Sequence, residues 1–254
     1  MSTDNVIYGI NSVRAALESD RPIEKILISK TSPKGRYSSL IALAKQRKTT
    51  LQFVPSEAIS RRAKTDKHQG ILALIGGVPL LSLEELLGLI KPIDEPAILA
   101  MLDGIEDPHN LGAIIRSAEA AGLSGLILPQ HRSAPLSPIV SSTSSGAIYH
   151  LPIARVTNLA QSVERLKKEG FWIVGSAERG SKPFWDLPGD LPLVVIIGNE
   201  GRGIHRLVKE KCDYLITIPM YGKTPSLNAS VAAALLFYEI RRKRESAISL
   251  HHDD

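Results

Sequence analysis

A single cysteine, Cys212, leaves this chain of 254 residues with no internal disulfide and no multi-cysteine metal site. No apolar run approaches the roughly 18 residues needed to cross a bilayer. The opening MSTDNVIYG lacks a basic stretch and places Asp4 early, so neither a signal peptide nor a transit peptide is expected. A reducing, cytoplasmic setting is the expectation. The seven histidines (68, 109, 131, 150, 205, 251 and 252) show no zinc-ligand spacing, and no metal is expected. A Gly-x-Ser-x-Gly elbow is absent, which excludes one common route to a serine nucleophile. Fixed-period repeats and low-complexity segments are also missing. Hydrophobic residues at 43% and charged residues at 22% exclude a wholly disordered chain. At about 150 residues per domain, the length allows one or two domains.

Net charge is +5, and its placement says more than its size. Residues 1–80 hold 13 Lys and Arg against 6 Asp and Glu, whereas residues 81–254 hold 18 against 20. The basic excess lies wholly in the first third. Two readings stay open on charge alone: a polyanion-binding module, or a solvated basic face.

The first third alternates short patterns. VRAALES (13–19) and RYSSLIALAKQR (36–47) have helical spacing; EKILIS (24–29), LQFV (51–54) and GILALI (70–75) read as strands. A basic stretch, RRAKTDKHQG (61–70), separates the last two. The pattern predicts a small α/β domain over 1–78. Residues 79–96 read as a linker with one short helix, opened by a capping-box-like Ser82-Leu-Glu-Glu85. From 97 to 254 the alternation becomes regular. AILAML (97–102), GLIL (125–128), FWIVGS (171–176), PLVVIIG (192–198) and YLITIP (214–219) are apolar enough for strands buried on both faces of a parallel sheet. Helices are predicted over 107–121, 157–169, 203–211 and 226–245. A parallel sheet with helices on both faces follows. The basic RRKRE (241–245) suits a helix C-terminus.

Ligands of open α/β sheets bind beyond the carboxyl ends of the strands, and three strand ends carry polar or glycine-rich sequence. In LDGIEDPHNLGAIIRSAEAAG (102–122), Asp107 and Pro108 start a helix and Gly122 ends it. Packing explains Leu111, Ile114, Ile115 and Ala118 but neither Asn110 nor Arg116, which is either solvent-facing, paired with Glu119, or functional. In VVIIGNEGRGI (194–204), the glycines follow Gly-x-x-Gly-x-Gly, which is neither a dinucleotide fingerprint nor a P-loop. By pattern alone this is a turn with an exposed Glu200. In ITIPMYGKTPSLNASVAAALLFYEIRR (216–242), Ser226 or Asn228 can cap the long helix, or present donors to a ligand.

Together, DPHNLGAIIRSAEAAG, IIGNEGRGI and IPMYGKTPSLNASVAAALLFYE resemble the three motifs of the SpoU (TrmH-type) RNA 2′-O-ribose methyltransferases of the SPOUT superfamily. YGINSVRAALES, KHQGILALI and HRSAPLSPIVSSTSSGAIYHLPIARVTNLAQ resemble the subgroup that methylates guanosine in large-subunit ribosomal RNA. The resemblance implies an N-terminal RNA-binding domain and a knotted C-terminal methyltransferase domain. It also implies S-adenosyl-L-methionine as cofactor, ribosomal RNA as substrate, and a homodimer. The catalytic residues it implies are Asn110, Arg116, Glu200, Ser226 and Asn228. Cofactor contacts are implied at Gly198, Gly201, Ile218, Met220 and Leu227. One departure stands out: Ser-Ser-Thr-Ser-Ser precedes Gly146 where relatives often carry a lysine.

Arg116 occupies the position of the family's proposed base, yet arginine is effectively never deprotonated in proteins. The expectation is therefore that Arg116 positions an RNA phosphate or stabilises the developing 2′-alkoxide. A transfer-RNA 2′-O-methyltransferase and a non-catalytic RNA-binding assembly factor on the same fold are the alternatives.

Overall fold

Different stretches of chain build two compact units, Met1–Pro79 with Leu136–His150, and Leu80–Pro135 with Leu151–Asp254. The computed structural model describes residues 6–18, 23–31, 33, 35–75, 78–90, 95–177 and 182–249. In chain order the elements begin β1 (Val6–Tyr8), α1 (Ile10–Glu18), β2 (Ile23–Ser29), α2 (Ser38–Gln46), β3 (Thr50–Val54), α3 (Ser56–Ala63) and β4 (Ile71–Ile75). They continue β5 (Leu80–Leu81), α4 (Leu83–Ile90), β6 (Ile98–Asp103), α5 (Pro108–Ala120), β7 (Gly125–Pro129), α6 (Pro138–Thr143) and β8 (Ile153–Val156). The last are α7 (Leu159–Lys168), β9 (Trp172–Ser176), β10 (Lys182–Pro183), β11 (Leu193–Gly198), α8 (Arg206–Lys209), β12 (Tyr214–Thr217) and α9 (Ala229–Ser249).

The first unit is a four-stranded sheet, β1-β4-β2-β3, parallel only between β2 and β3. Strand alternation sends Ile7, Ile26, Ile28, Ile71 and Ala73 to one face, against Val13, Ala16 and Leu17 of α1 and Leu40 and Ala44 of α2. Val6, Leu27 and Leu72 face the other way, onto Ile59 and Ala63 of α3. Only those two residues of α3 are buried, one turn apart, so a predominantly polar stretch gave no sign of the helix. The Leu136–His150 segment adds α6. Gly146 has φ +92, and a Cβ there would lie 2.4 Å from that of Ala15. Tyr149 packs on the α1–α2 core, its hydroxyl 2.6 Å from Ser141 Oγ.

The second unit holds an eight-stranded sheet, β10-β12-β9-β11-β6-β7-β8-β5, parallel throughout. All six residues of β6 are buried, as its unbroken apolar run predicts. Leu99, Met101, Val194 and Ile196 face α4, α7 and α8 in one core. The alternate residues face the side covered by α5 and α9, which pack on each other.

Several expectations differ from the structure. The segment read as a linker contributes β5, paired with β8, and α4, whose Leu83, Leu86, Leu87 and Ile90 join the core. Its capping box does form: Ser82 N–H donates to Glu85 Oε2 at 2.7 Å and Glu85 N–H to Ser82 Oγ at 3.2 Å. Donation from the Ser82 backbone N–H, and then from its hydroxyl, holds the Glu85 carboxyl below its usual range. Residues 91–94 of that segment, with His251 and His252, lie outside the described residues. β8, within LPIARV, was not anticipated because Pro152 and Arg155 interrupt its apolar character. The helix predicted over 203–211 shrinks to α8, since Gly203 is left-handed at φ +65 and His205 is extended. The last helix starts at Ala229, not at 226. Its capping residue is Asn228, whose Oδ1 accepts Ser230 N–H at 2.9 Å.

RRKRE does not end a helix as expected, since α9 runs on to Ser249 with no basic residue in its last turn, and two of its arginines are engaged rather than solvated. Arg244 is buried, donating to the carbonyls of Gly189 and Leu191, each at 2.9 Å, and to that of Pro96. Arg241 donates to the carbonyls of Ala121 and Gly122, both at 3.1 Å. Both arginines therefore satisfy chain turns that have no strand partner.

Candidate active site

The loop after β11 is a closed miniature hairpin. Asn199 N–H donates to Gly203 O at 3.1 Å and Gly203 N–H to Asn199 O at 2.8 Å, leaving Glu200, Gly201 and Arg202 at the tip. The Asn199 side chain ties the hairpin down, donating from Nδ2 to Gly104 O at 2.9 Å and accepting Gly201 N–H at 2.9 Å. A Cβ at Gly198 would lie 2.3 Å from Gly203 C and 2.5 Å from Ile204 N. Only glycine permits that backbone crossing.

Glu200 is where the three sequence segments meet. Its Oε1 accepts Asn110 Nδ2 at 2.9 Å, Asn228 Nδ2 at 2.7 Å and the Ala229 backbone N–H at 3.1 Å. Asn228 Nδ2 also reaches Asn110 Oδ1 at 2.9 Å. The carboxylate thus sits at the N-terminus of α9, where the helix dipole favours negative charge. Asp107 caps α5 by accepting His109 N–H at 3.0 Å, with Pro108 at the first helical position. Further along α5, the Arg116 side chain is exposed and has no hydrogen-bond or ion-pair partner among the described residues, Glu119 included.

Beside this cluster lies a cavity of about 650 Å³, within the range of small-molecule sites. Gly198, Gly201, Ile218, Met220, Ser226 and Leu227 line it, with Glu200 and Ala229. Asn110, Arg116 and Asn228 do not. The walls join apolar side chains (Ile197, Ile204, Ile218 and Leu227) to exposed backbone polar groups of a glycine-rich loop. That combination suits a ligand with a flat heteroaromatic ring and polar ends, as S-adenosylmethionine has.

Two side chains behind the site escaped the sequence reading. Asp103, the buried last residue of β6, accepts both the backbone N–H and the ring Nδ1–H of His205, at 2.8 and 2.7 Å. No spacing rule joins positions 102 residues apart.

The first unit carries the basic residues Arg61, Arg62, Lys64 and Lys67, all exposed. They sit on the last turn of α3 and the loop beyond it. Buried His68 braces that loop, its Nε2 3.0 Å from Ser60 Oγ and its Nδ1 accepting Gly70 N–H at 2.9 Å. No group of His, Cys, Asp and Glu placed to hold a metal ion occurs among the described residues, and no described helix is long and apolar enough to cross a membrane.

Residues 97–238 match the SpoU rRNA Methylase family, and residues 6–79 match the family of RNA 2′-O ribose methyltransferase substrate-binding domains. The Bacillus subtilis protein YacO, assigned to the TrmH family of tRNA/rRNA methyltransferases, is 43% identical over 238 residues, covering 94% of this chain and 95% of its own. A Staphylococcus saprophyticus protein with the same assignment is 44% identical over 239 residues, covering 94% and 96%. Among solved structures, the SpoU methyltransferase AviRb of Streptomyces viridochromogenes, in complex with AdoMet, superposes with a TM-score of 0.80 at 26% identity over 95% of this chain and 90% of its own. An AdoMet-bound rRNA methyltransferase from Sinorhizobium meliloti gives 0.79 at 26% identity, covering 93% and 86%. A TrmH/SpoU tRNA-modifying enzyme from A. aeolicus gives 0.55 at 29% identity, covering 65% of this chain and 83% of its own. The chain belongs to the SpoU/TrmH family of the SPOUT superfamily, the S-adenosylmethionine-dependent RNA 2′-O-methyltransferases.

Proposed function

We propose that this protein methylates the ribose 2′-oxygen of a guanosine in large-subunit ribosomal RNA. One observation carries the choice of RNA. The rRNA methyltransferase from S. meliloti matches 93% of the chain, first unit included, whereas the A. aeolicus tRNA enzyme matches 65%. The substrate-binding match over residues 6–79 includes the exposed cations on α3 and its following loop, so Met1–Pro79 is read as the RNA grip and 97–254 as the methyltransferase region.

When bound, S-adenosylmethionine supplies a methyl group already activated on a sulfonium. Gly198, Gly201, Ile218, Met220 and Leu227 are assigned its binding, on their place in the cavity wall. What remains is alignment of the 2′-oxygen and removal of its proton. A guanidinium offers donors and no acceptor, so the part of Arg116 is to donate to an RNA phosphate or to the developing 2′-alkoxide, the proton leaving to phosphate or water. Glu200 holds Asn110 and Asn228 in one geometry at the mouth of the cavity, and Ser226 lines the same wall.

The trefoil knot and the homodimer belong to the same reading. Supporting a dimer, Val231, Leu235 and Tyr238 are exposed along one face of α9, a surface a second copy would cover. A cytoplasmic place in rRNA processing accords with the substrate.

The test is incubation with labelled S-adenosylmethionine and transcripts of large-subunit rRNA or of tRNA, followed by mapping of the labelled nucleotide. Label on a guanosine ribose of rRNA is expected. Label in tRNA alone overturns the substrate, and no label in any RNA favours a binding factor.

A further inference from the structure

The buried carboxylate behind the active-site loop leads outward to a second cation. Asp103 uses both oxygens on His205, and His205 Nε2 lies 2.8 Å from Arg132 Nη1. Arginine has only donors, so Nε2 is the acceptor, the proton sits on Nδ1, and the ring bonded to Arg132 is neutral. The guanidinium is therefore fixed in place without losing its charge to a partner.

The backbone at Arg132 points the same way. Its φ is +56, a left-handed conformation that favours glycine. Both flanks are pinned: Gln130 N–H donates to Val156 O at 2.8 Å and Ala134 N–H to Ile105 O at 2.9 Å. A strained residue held by its surroundings is a pointer to function. Arg132 is exposed and has no carboxylate partner among the described residues. Ile105 belongs to the turn entering α5, which carries Asn110 and Arg116. Arg132 thus stands at the same carboxyl edge of the sheet, outside the cavity wall.

We propose that Arg132 binds a backbone phosphate of the substrate RNA close to the target nucleotide, its guanidinium held in place by His205 and Asp103. The inference rests on the family's reaction on RNA and adds a contact in the methyltransferase unit itself. A fixed fork of donors matches a phosphate, and a neutral imidazole anchor leaves its charge free to act.

Arg132→Ala and Arg132→Lys are made in the full chain. RNA affinity across a salt series, S-adenosylmethionine affinity and the thermal midpoint are then measured. For Arg132→Ala we expect RNA binding weaker by about tenfold, the lower range for a charge-assisted hydrogen bond. The slope of log affinity against log salt should flatten by about 0.7, one single-strand phosphate contact. Cofactor affinity and kcat at saturating RNA should stay within about threefold of wild type. Arg132→Lys should restore the slope but only part of the affinity. Unchanged RNA affinity and slope in Arg132→Ala overturn the proposal. So does a joint fall in cofactor affinity and thermal midpoint with the salt slope unchanged, which makes Arg132 a brace for the loop. Should Arg132→Ala not fold, Arg132→Gln gives the same comparison. A wild type that binds RNA yet methylates none would overturn the proposed function while leaving this comparison readable.

Discussion

Asn228 Nδ2 lies 2.7 Å from Glu200 Oε1, an oxygen that also receives donors from Asn110 and from the backbone of Ala229. One carboxylate oxygen thus fastens the start of α9 and the first turn of α5 to the loop after β11. Its role is architectural and electrostatic at once, and substitution can separate the two.

Glu200→Gln keeps an acceptor for all three donors but removes the charge, and neutral hydrogen bonds are roughly half as strong as charge-assisted ones. We expect a thermal midpoint close to wild type with methyl transfer lowered about tenfold or more. If midpoint and activity fall together in proportion, Glu200 serves only as scaffold.

Gly198→Ala places a Cβ against backbone on the far side of the loop. Because backbone cannot rotate away as a side chain can, we expect a loss of about 1–3 kcal/mol in stability, as for overpacked cores. Cofactor binding, followed by calorimetry, should fall sharply. Binding at wild-type strength would show that the hairpin tolerates displacement.

Arg116→Lys keeps a positive charge and discards the planar fork. If the fork grips phosphate or alkoxide, methyl transfer falls by about tenfold or more while cofactor affinity holds. Activity near wild type would sink the idea that two-pronged geometry matters.

Arg244→Met removes the donor shared by three carbonyls in a buried setting, where burial holds the guanidinium pKa below its ordinary value. Stranded carbonyls cost about 1–3 kcal/mol each when water cannot reach them, so a loss of about 2–4 kcal/mol is expected from urea unfolding. A change under about 0.5 kcal/mol would mean that water replaces the guanidinium.

Cys212 packs over Gly175, where an added Cβ would come within 2.7 Å of its sulfur. Burial pushes the thiol from its ordinary 9.0 to about 11. Between about pH 9 and 11 the unfolded chain releases this proton while the folded chain keeps it, so stability falls as pH rises through that window. Urea midpoints across it should decline less steeply in Cys212→Ala; equal slopes would refute the linkage.

The central strands were readable because burial on both faces leaves an unbroken apolar run, as in ILAMLD of β6. Short edge elements were not: Leu80–Leu81 has two residues and takes its identity from β8, which is distant in sequence. Asn110 stood out for want of a packing role and Asn228 as a cap or donor, but their joining with Glu200 in one site came only from the coincidence of three motifs. Taken alone, Glu200 looked like a turn residue, since its partners stand 90 and 28 residues away. Arg132, His205 and Asp103 had no local signature, because a hydrogen-bonded chain of side chains leaves no periodicity.

The excursion of Leu136–His150 into the first unit sets a schedule for synthesis. Gly146 and Tyr149, which pack on α1 and its core, are translated only after β6, α5 and β7 of the other unit have been made. At about 5–20 residues per second, the nascent first unit waits several seconds for its last piece. Until then the part of α1 that Gly146 covers stays open.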